Sequence, residues 1–463
     1  MRRLSLAGLA LAIALTLIFA ACGGGSSNNS TTSQTPQQAQ MFVNLSDAPL
    51  QSVLDFQITI NSMTVTNGSS TATLVSTPTN FELTRLLGLR TLLGLNAVPA
   101  GTYTSATVTV SSPVITYLDT TTNPATVKTM NGSLTTSSFT IPINPGLVIN
   151  AAGVGGLHLH FDLAQSLFTD TTGQITGQVN PVFTLRGFND SSDPDWEIDE
   201  FLGTVASVNV SSSNFVFTRP DGRTFTIDTD SNTIFDGDGV SGLSNLAANM
   251  VVNVSGKVQA DGSILADQVE VLSLNKSYMG GLILDVNPSS GTANNLTVLI
   301  REEIPTQATI PIYQPAQINL SSSTKYHIRY IPEDISKWVF NSGLMITGQR
   351  VGLAGDVDTT NSAQFDASRV TLRWQGHDGV AVAGSINTTN NTFMFNPNGL
   401  LGYVFGAPVK VYTFPGTAWL GGLNGIGDLT GAPTQKIRVV GLVLKDPVTN
   451  TPALLAVRVR QLP

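Results

Sequence analysis

Short runs in which apolar and polar residues alternate recur along most of the chain, and they predict strands. In one run Phe56, Ile58 and Ile60 fall on one side and Gln57, Thr59 and Asn61 on the other. Ala106 to Val110, Phe139 to Ile143 and Leu157 to Leu163 read the same way, and Met41 to Leu45 starts a strand that stops at the turn Ser46-Asp47-Ala48-Pro49. Leu83 to Leu95 breaks the alternation: Leu86, Leu89, Leu92 and Leu93 recur at helical spacing, which predicts a short helix or coiled loop plugging one end of a β-sandwich. Two further stretches stand apart. Leu4 to Ala21 is apolar except for Ser5 and Thr16, while Gly23 to Gln40 has neither charge nor periodicity and reads as a linker that cannot bury enough surface to fold.

Arg2 and Arg3 ahead of the apolar stretch, with Ala20-Ala21 closing it, predict an export signal over residues 1–21. The next residue, Cys22, is the only cysteine. Phe19-Ala20-Ala21-Cys22 resembles a bacterial lipobox, with Phe19 where Leu is usual. That resemblance implies cleavage before Cys22, a diacylglycerol on its thiol and an acyl group on its new amine. Two or more acyl chains give a stable membrane anchor where one does not. Residues 22–40 would then be the lipid-anchored linker, and Gly23, in a position where Asp often signals inner-membrane retention, points by the same resemblance to the outer membrane. The plain alternative is a secretory signal cut near Ala21 that leaves a free thiol.

Residues 41–190 carry separated motifs: Leu45-x-Asp47-Ala48-Pro49, the Phe56–Ile60 strand, the Leu-rich segment, Val98-Pro99-Ala100-Gly101-Thr102-Tyr103 and Leu159-x-Phe161-Asp162. Together they resemble a domain of unknown function found near the amino terminus of bacterial surface lipoproteins. The resemblance implies a β-sandwich, immunoglobulin- or transthyretin-like, in the cell envelope, and it implies no catalytic residue.

Beyond residue 200 four landmarks recur in order three times. A Gly opens a strand (Gly203, Gly281, Gly384), and a Thr precedes an aromatic by two (Thr233/Phe235, Thr324/Tyr326, Thr417/Trp419). Gly-x-Val follows at Gly256, Gly355 and Gly441, then Ala-x-x-Val at Ala266, Ala367 and Ala456. This order predicts three copies of one small β-barrel over 200–275, 278–375 and 379–463, and an all-β chain overall. The first copy, with its Asp221-Gly222-Arg223 hairpin, resembles a second uncharacterised bacterial β-domain family described as OB-like.

Composition narrows the function. Only 12% of the 463 residues are charged and the net charge is −8, so the clustered basic surface that nucleic acid requires is not expected. One cysteine excludes a disulfide scaffold. His158, His160 and Asp162 share one face of a strand and are a candidate zinc or nickel site; Asp193, Asp195, Glu197 and Asp199 crowd a junction and are a candidate calcium site. The bland readings are the polar face of a half-buried strand and a solvated linker. No G-x-S-x-G elbow, P-loop or H-E-x-x-H occurs. The expectation is a non-catalytic, lipid-anchored binding or adhesion module for a polysaccharide or an envelope protein, with no cofactor beyond that calcium. A structural spacer is the first alternative. The second is a polymer hydrolase, which needs two carboxylates or a Ser and a His converging in one cleft. A binder should show an exposed aromatic patch, for which Trp196, Trp338, Trp374 and Trp419 are candidates.

Overall fold

In the computed structural model nearly every ordered segment is a strand, as the alternation predicts. The structure describes residues 38–48, 52–68, 70–119, 121–122, 125–237 and 239–462. The signal, most of the linker and Cys22 lie outside the described residues. The first strand, Gln38–Ala48, begins inside the expected linker and runs through the expected Ser46–Ala48 turn. No helix among the described residues is long and apolar enough to cross a membrane.

The described residues between 38 and 188 build two main sheets over one core. In one, Gln38–Ala48 is central: it pairs in parallel with Val154–Asp162 and antiparallel with Thr91–Pro99, and Phe183–Phe188 flanks Val154–Asp162. The other centres on the long strands Val53–Thr66 and Gly101–Asp119. Met41, Val43, Leu45, Leu157, Leu159 and Phe161 from the first sheet meet Phe56, Ile58 and Ile60 from the second, with Phe56 and Phe161 stacked at 5.3 Å. The Leu-rich segment is not a helix. Thr84–Leu86 makes a single 3₁₀ turn and Leu92 and Leu93 belong to the strand Thr91–Pro99, yet all four leucines are buried, because β pairing to the first strand overrides their helical spacing.

Three six-stranded sheets follow, with strands running from Glu197 to Ser273, Ser277 to Leu372 and Gln375 to Gln461. Numbering strands within each sheet, all three have the order 3-2-1-5-6-4, and a parallel pairing of strands 3 and 6 closes each. The landmarks occupy matching places. Thr233, Thr324 and Thr417 each donate a hydroxyl hydrogen bond to the carbonyl of Ala266, Ala367 and Ala456, at 2.7, 2.7 and 2.8 Å. Phe235, Tyr326 and Trp419 stand opposite Val269, Val370 and Val459. Gly256, Gly355 and Gly441 pair with those same alanines at a bulge.

One landmark is misplaced. Gly384 sits in a turn with open space around it; the third-sheet counterpart of Gly203 and Gly281 is Gly379, whose missing side chain leaves room for the Asn396 carbonyl, and its strand starts before residue 379. At Gly441 an added methyl would meet the Leu455 carbonyl, a backbone atom held on both sides by pairing. Gly441→Ala should therefore lower unfolding free energy by about 3 kcal/mol, the upper end of overpacking costs. Gly384→Ala, strained only by its φ of +73°, should cost about 1 kcal/mol. Urea titration of both variants checks the contrast, and equal costs would refute the landmark's role.

The described residues form one compact body. The second face of the first sheet is also covered: Phe42, Leu92, Phe188 and Trp196 pack with Phe201, Phe215 and Phe217 of the first closed sheet. Trp196 and Trp338 are buried, Trp374 lies under the Arg329 guanidinium at 3.9 Å, and Trp419 packs on the third core. The tryptophans therefore form no exposed aromatic patch, because each fills a core or a junction.

Candidate functional site

Along the strand Gln38–Ala48 odd positions enter the core, so Asn44 and Ser46 face the other way. The parallel register sets Asn44 beside His158 and Ser46 beside His160; across the next strand His158 faces Arg186 and His160 faces Thr184. Three neighbouring strands thus place Ser46, His158, His160 and Arg186 on one surface. That surface is a wall of a cavity of about 790 Å³, whose other walls are Gly88–Arg90, Asp195 and the third closed sheet with Asp378, Lys436, Arg438 and Arg460.

Ser46 Oγ lies 2.6 Å from His158 Nε2 and 3.0 Å from His160 Nδ1. His158 Nδ1 lies 2.8 Å from Asp195 Oδ2. Asp195 belongs to the 3₁₀ turn Pro194–Trp196, capped by the Asp193 side chain, and Asn44 Nδ2 donates to its carbonyl at 2.8 Å. Arg90 and Arg186 both reach its carboxylate. Burial opposes ionisation of Asp195, but contacts from His158, Arg90 and Arg186 outweigh it and hold the carboxyl well below the usual range. Burial pushes His158 down despite Asp195, and burial plus the Arg438 charge takes His160 to about 4. Both imidazoles are neutral at pH 7.

Arg90, Arg186, Lys436, Arg438 and Arg460 line the cavity with Asp162, Asp195 and Asp378. Behind the wall Asp193 pairs with Arg186 and Asp199 with Arg90, so Lys436 and Arg460 are the lining cations that no carboxylate among the described residues holds at hydrogen-bond distance. Asp378 pairs bidentately with Arg438 at 2.6 and 2.9 Å. Arg460 is held by less: its side chain is 39% exposed and reaches only Asp195, at 3.8 Å. Burial and the neighbouring guanidiniums Arg90, Arg438 and Arg186 depress its pKa, while Asp195 opposes them. The arrangement favours an anion beside Arg460 and Lys436.

Neither candidate metal site assembles among the described residues. His158, His160 and Asp162 do share a strand face, but both histidines spend a ring nitrogen on Ser46, and Asp162 accepts from the Gln165 backbone and side chain. The four acidic junction residues are drawn onto arginines instead of a shared cation: Asp193 onto Arg186, Asp195 onto Arg90 and Arg186, Asp199 onto Arg90 and Arg458, Glu197 onto Arg458. Among the described residues no group of three or more His, Cys, Asp or Glu is placed to hold a metal. Asp236, at the end of the strand Ile234–Asp236, lies 2.9 Å from His327 Nε2.

Residues 38–178 match the model of a domain of unknown function, DUF4382. A second, DUF5666, also of unknown function, matches residues 203–270. No curated protein matches the chain. The first match includes Ser46, Arg90, His158 and His160; Arg186 and Asp195 fall between the two, and Lys436, Arg438 and Arg460 lie beyond both. The cavity is therefore composite, assembled from segments that the two matches cover only in part.

Proposed function

We propose that this protein is a binding module of the bacterial envelope, lipid-anchored through Cys22, and that it holds an anionic ligand, a uronate-type polysaccharide or another carboxylate-bearing envelope polymer. One observation carries the ligand class: Lys436 and Arg460 line the cavity without a carboxylate at hydrogen-bond distance among the described residues, in a chain of net charge −8. Two cations without such a partner attract anions to that opening. The two-sheet core over residues 38–188 supports a β-sandwich, and the shared closed topology of the later sheets supports three OB-like barrels. A spacer has no use for two cations held open at a cavity.

Isothermal titration of the full chain with an oligogalacturonate tests the ligand class. Binding should weaken as salt rises, a neutral oligoglucose should not bind, and Arg460→Gln with Lys436→Gln should lower affinity about tenfold, roughly 1.4 kcal/mol. These two side chains carry little of the fold, so a loss of binding reports on the site. Equal binding of the neutral sugar, or unchanged affinity in the double variant, refutes the reading.

A further inference from the structure

We propose that Ser46 is a nucleophile for acyl transfer, with His158 as its general base and Asp195 as the group that positions the imidazole, acting on an ester carried by the anionic ligand. The substrate class rests on the anion-binding reading; the chemistry rests on hydrogen-bond geometry alone. The 2.6 Å Ser46–His158 contact and the 2.8 Å His158–Asp195 contact use opposite ring nitrogens of one imidazole. With Nδ1–H donated to Asp195, the Nε2 lone pair faces the Ser46 hydroxyl, the arrangement in which an imidazole takes a serine proton. The relay is held rigidly: strand pairing sets Ser46 beside the histidines, and Arg90, Arg186 and Asn44 fix Asp195 and its turn.

Two features separate this from a polar layer that merely satisfies its own hydrogen bonds. Ser46 has two imidazoles where one acceptor would do, and the group lines a cavity large enough for a sugar residue. His160 Nδ1 can meet Oγ only as an N–H donor once Oγ–H is given to His158, so it supports negative charge developing on that oxygen. The Arg438 guanidinium, paired with Asp378, also donates to the Asp47 carbonyl at 3.4 Å and so holds the backbone one residue from the nucleophile.

The reaction balances with water as the only co-reactant. Ser46 Oγ bonds the acyl carbon as its proton passes to His158 Nε2; the bond from that carbon to the leaving alkoxide breaks, and His158 returns the proton to the alkoxide. Water then attacks the acyl-serine, gives its proton to His158, and the acid leaves as Ser46 regains its hydrogen. No residue is oxidised or reduced. The chain thereby gains an activity that its lack of hydrolase motifs did not suggest, since the nucleophile sits on a strand and not on an elbow.

The test treats the full chain with a fluorophosphonate and maps adducts by mass spectrometry, alongside hydrolysis of p-nitrophenyl acetate and of mono-p-nitrophenyl succinate. One adduct on Ser46 is expected, with the succinate ester cleaved about tenfold faster than the acetate, in line with one added ion pair. Ser46→Ala should abolish the adduct and lower kcat/KM by about 10³-fold or more. Asp195→Asn should lower kcat and leave KM unchanged, a split that a general loosening of the fold would not give. Ser46→Cys, which keeps the shape, should be alkylated at position 46 by iodoacetamide. An unlabelled Ser46 in protein that still binds oligogalacturonate overturns this inference and leaves the binding reading standing. Labelling without oligogalacturonate binding keeps the nucleophile and refutes the anionic substrate.

Discussion

Glu200→Ala should lower unfolding free energy by at least about 4 kcal/mol, and with it the cohesion between the first and second closed sheets. Glu200 is fully buried at the end of a run of acids on the strand Glu197–Asn209, and three guanidiniums of the second sheet converge on it. Arg329 approaches at 2.6 Å, Arg350 at 3.0 Å and Arg373 at 2.8 Å. Arg329 and Arg373 share Glu270, and Arg350 shares Glu302 with Arg85 of the amino-terminal domain. Burial works against a charged Glu200, but Arg350, Arg373 and Arg329 hold it well below the ordinary carboxyl range. Removing it leaves four cations facing two carboxylates in a dry junction. Breaking one buried pair costs about 3–5 kcal/mol, and here three are broken at once. Against a typical total of about 5–15 kcal/mol, the variant should be partly unfolded at room temperature. Glu200→Gln keeps the volume and should recover part of the loss through its remaining acceptor. Denaturant titration checks both. A cost below about 1 kcal/mol for Glu200→Ala would mean that water reaches the cluster and that the junction is not what joins the sheets.

This cluster marks the boundary of what the chain reveals locally. The strands announced themselves because each buries one side, so a period of two is written into runs such as Phe56–Ile60. The repeat was legible for a similar reason: Gly441, Thr417 and Ala456 answer a steric demand of one fold, and the same demand recurs in each copy. Gly384 misled because a glycine in a turn and a glycine under a carbonyl look alike in sequence, and Gly379 filled the second role five residues earlier. The acids Asp193 to Asp199 were visible as a density of charge, but their partners Arg90 and Arg458 come from distant segments, so pairing with arginine could not be told from binding of a cation. Ser46 lay in the open within the Ser46-Asp47-Ala48-Pro49 motif. Only the parallel register between Gln38–Ala48 and Val154–Asp162 brings it to His158, and no local pattern encodes which distant strand a segment will join.

Acidification from about pH 6.5 to about pH 4 should strip stability steeply, before the paired carboxylates begin to titrate. The groups responsible are His160 and His377, each depressed to about 4, with His158 depressed as well. Burial is the leading cause for all three, and Arg438 adds to it at His160. The hydrogen bonds agree: the Gln375 amide lies 2.8 Å from His377 Nε2, so a proton there would set two donors against each other, and His158 Nε2 is needed to accept from Ser46. A histidine whose folded pKa lies below its unfolded value binds more protons when unfolded. Its contribution is complete above the unfolded value near 6.5 and is lost as pH falls toward the folded value near 4. His160 and His377 then carry on the order of 3 kcal/mol each across that window. Carboxylates such as Glu200 and Asp199 have depressed pKa values, so their contribution persists through this range and is lost only at lower pH. Asp55 runs the other way: burial and Glu82 raise its pKa well above the ordinary value, so its protonation favours the fold as pH falls. Burial raises Asp267 and Glu303 as well, so the expected fall is the net of three histidines against three carboxyls. Urea midpoints measured from pH 7.5 to pH 4.5 should fall throughout, and His377→Gln should make the profile shallower. A flat profile between pH 7 and pH 5 would show that the histidines are solvated, and with them the relay at Ser46 would lose the dry, neutral imidazole it depends on.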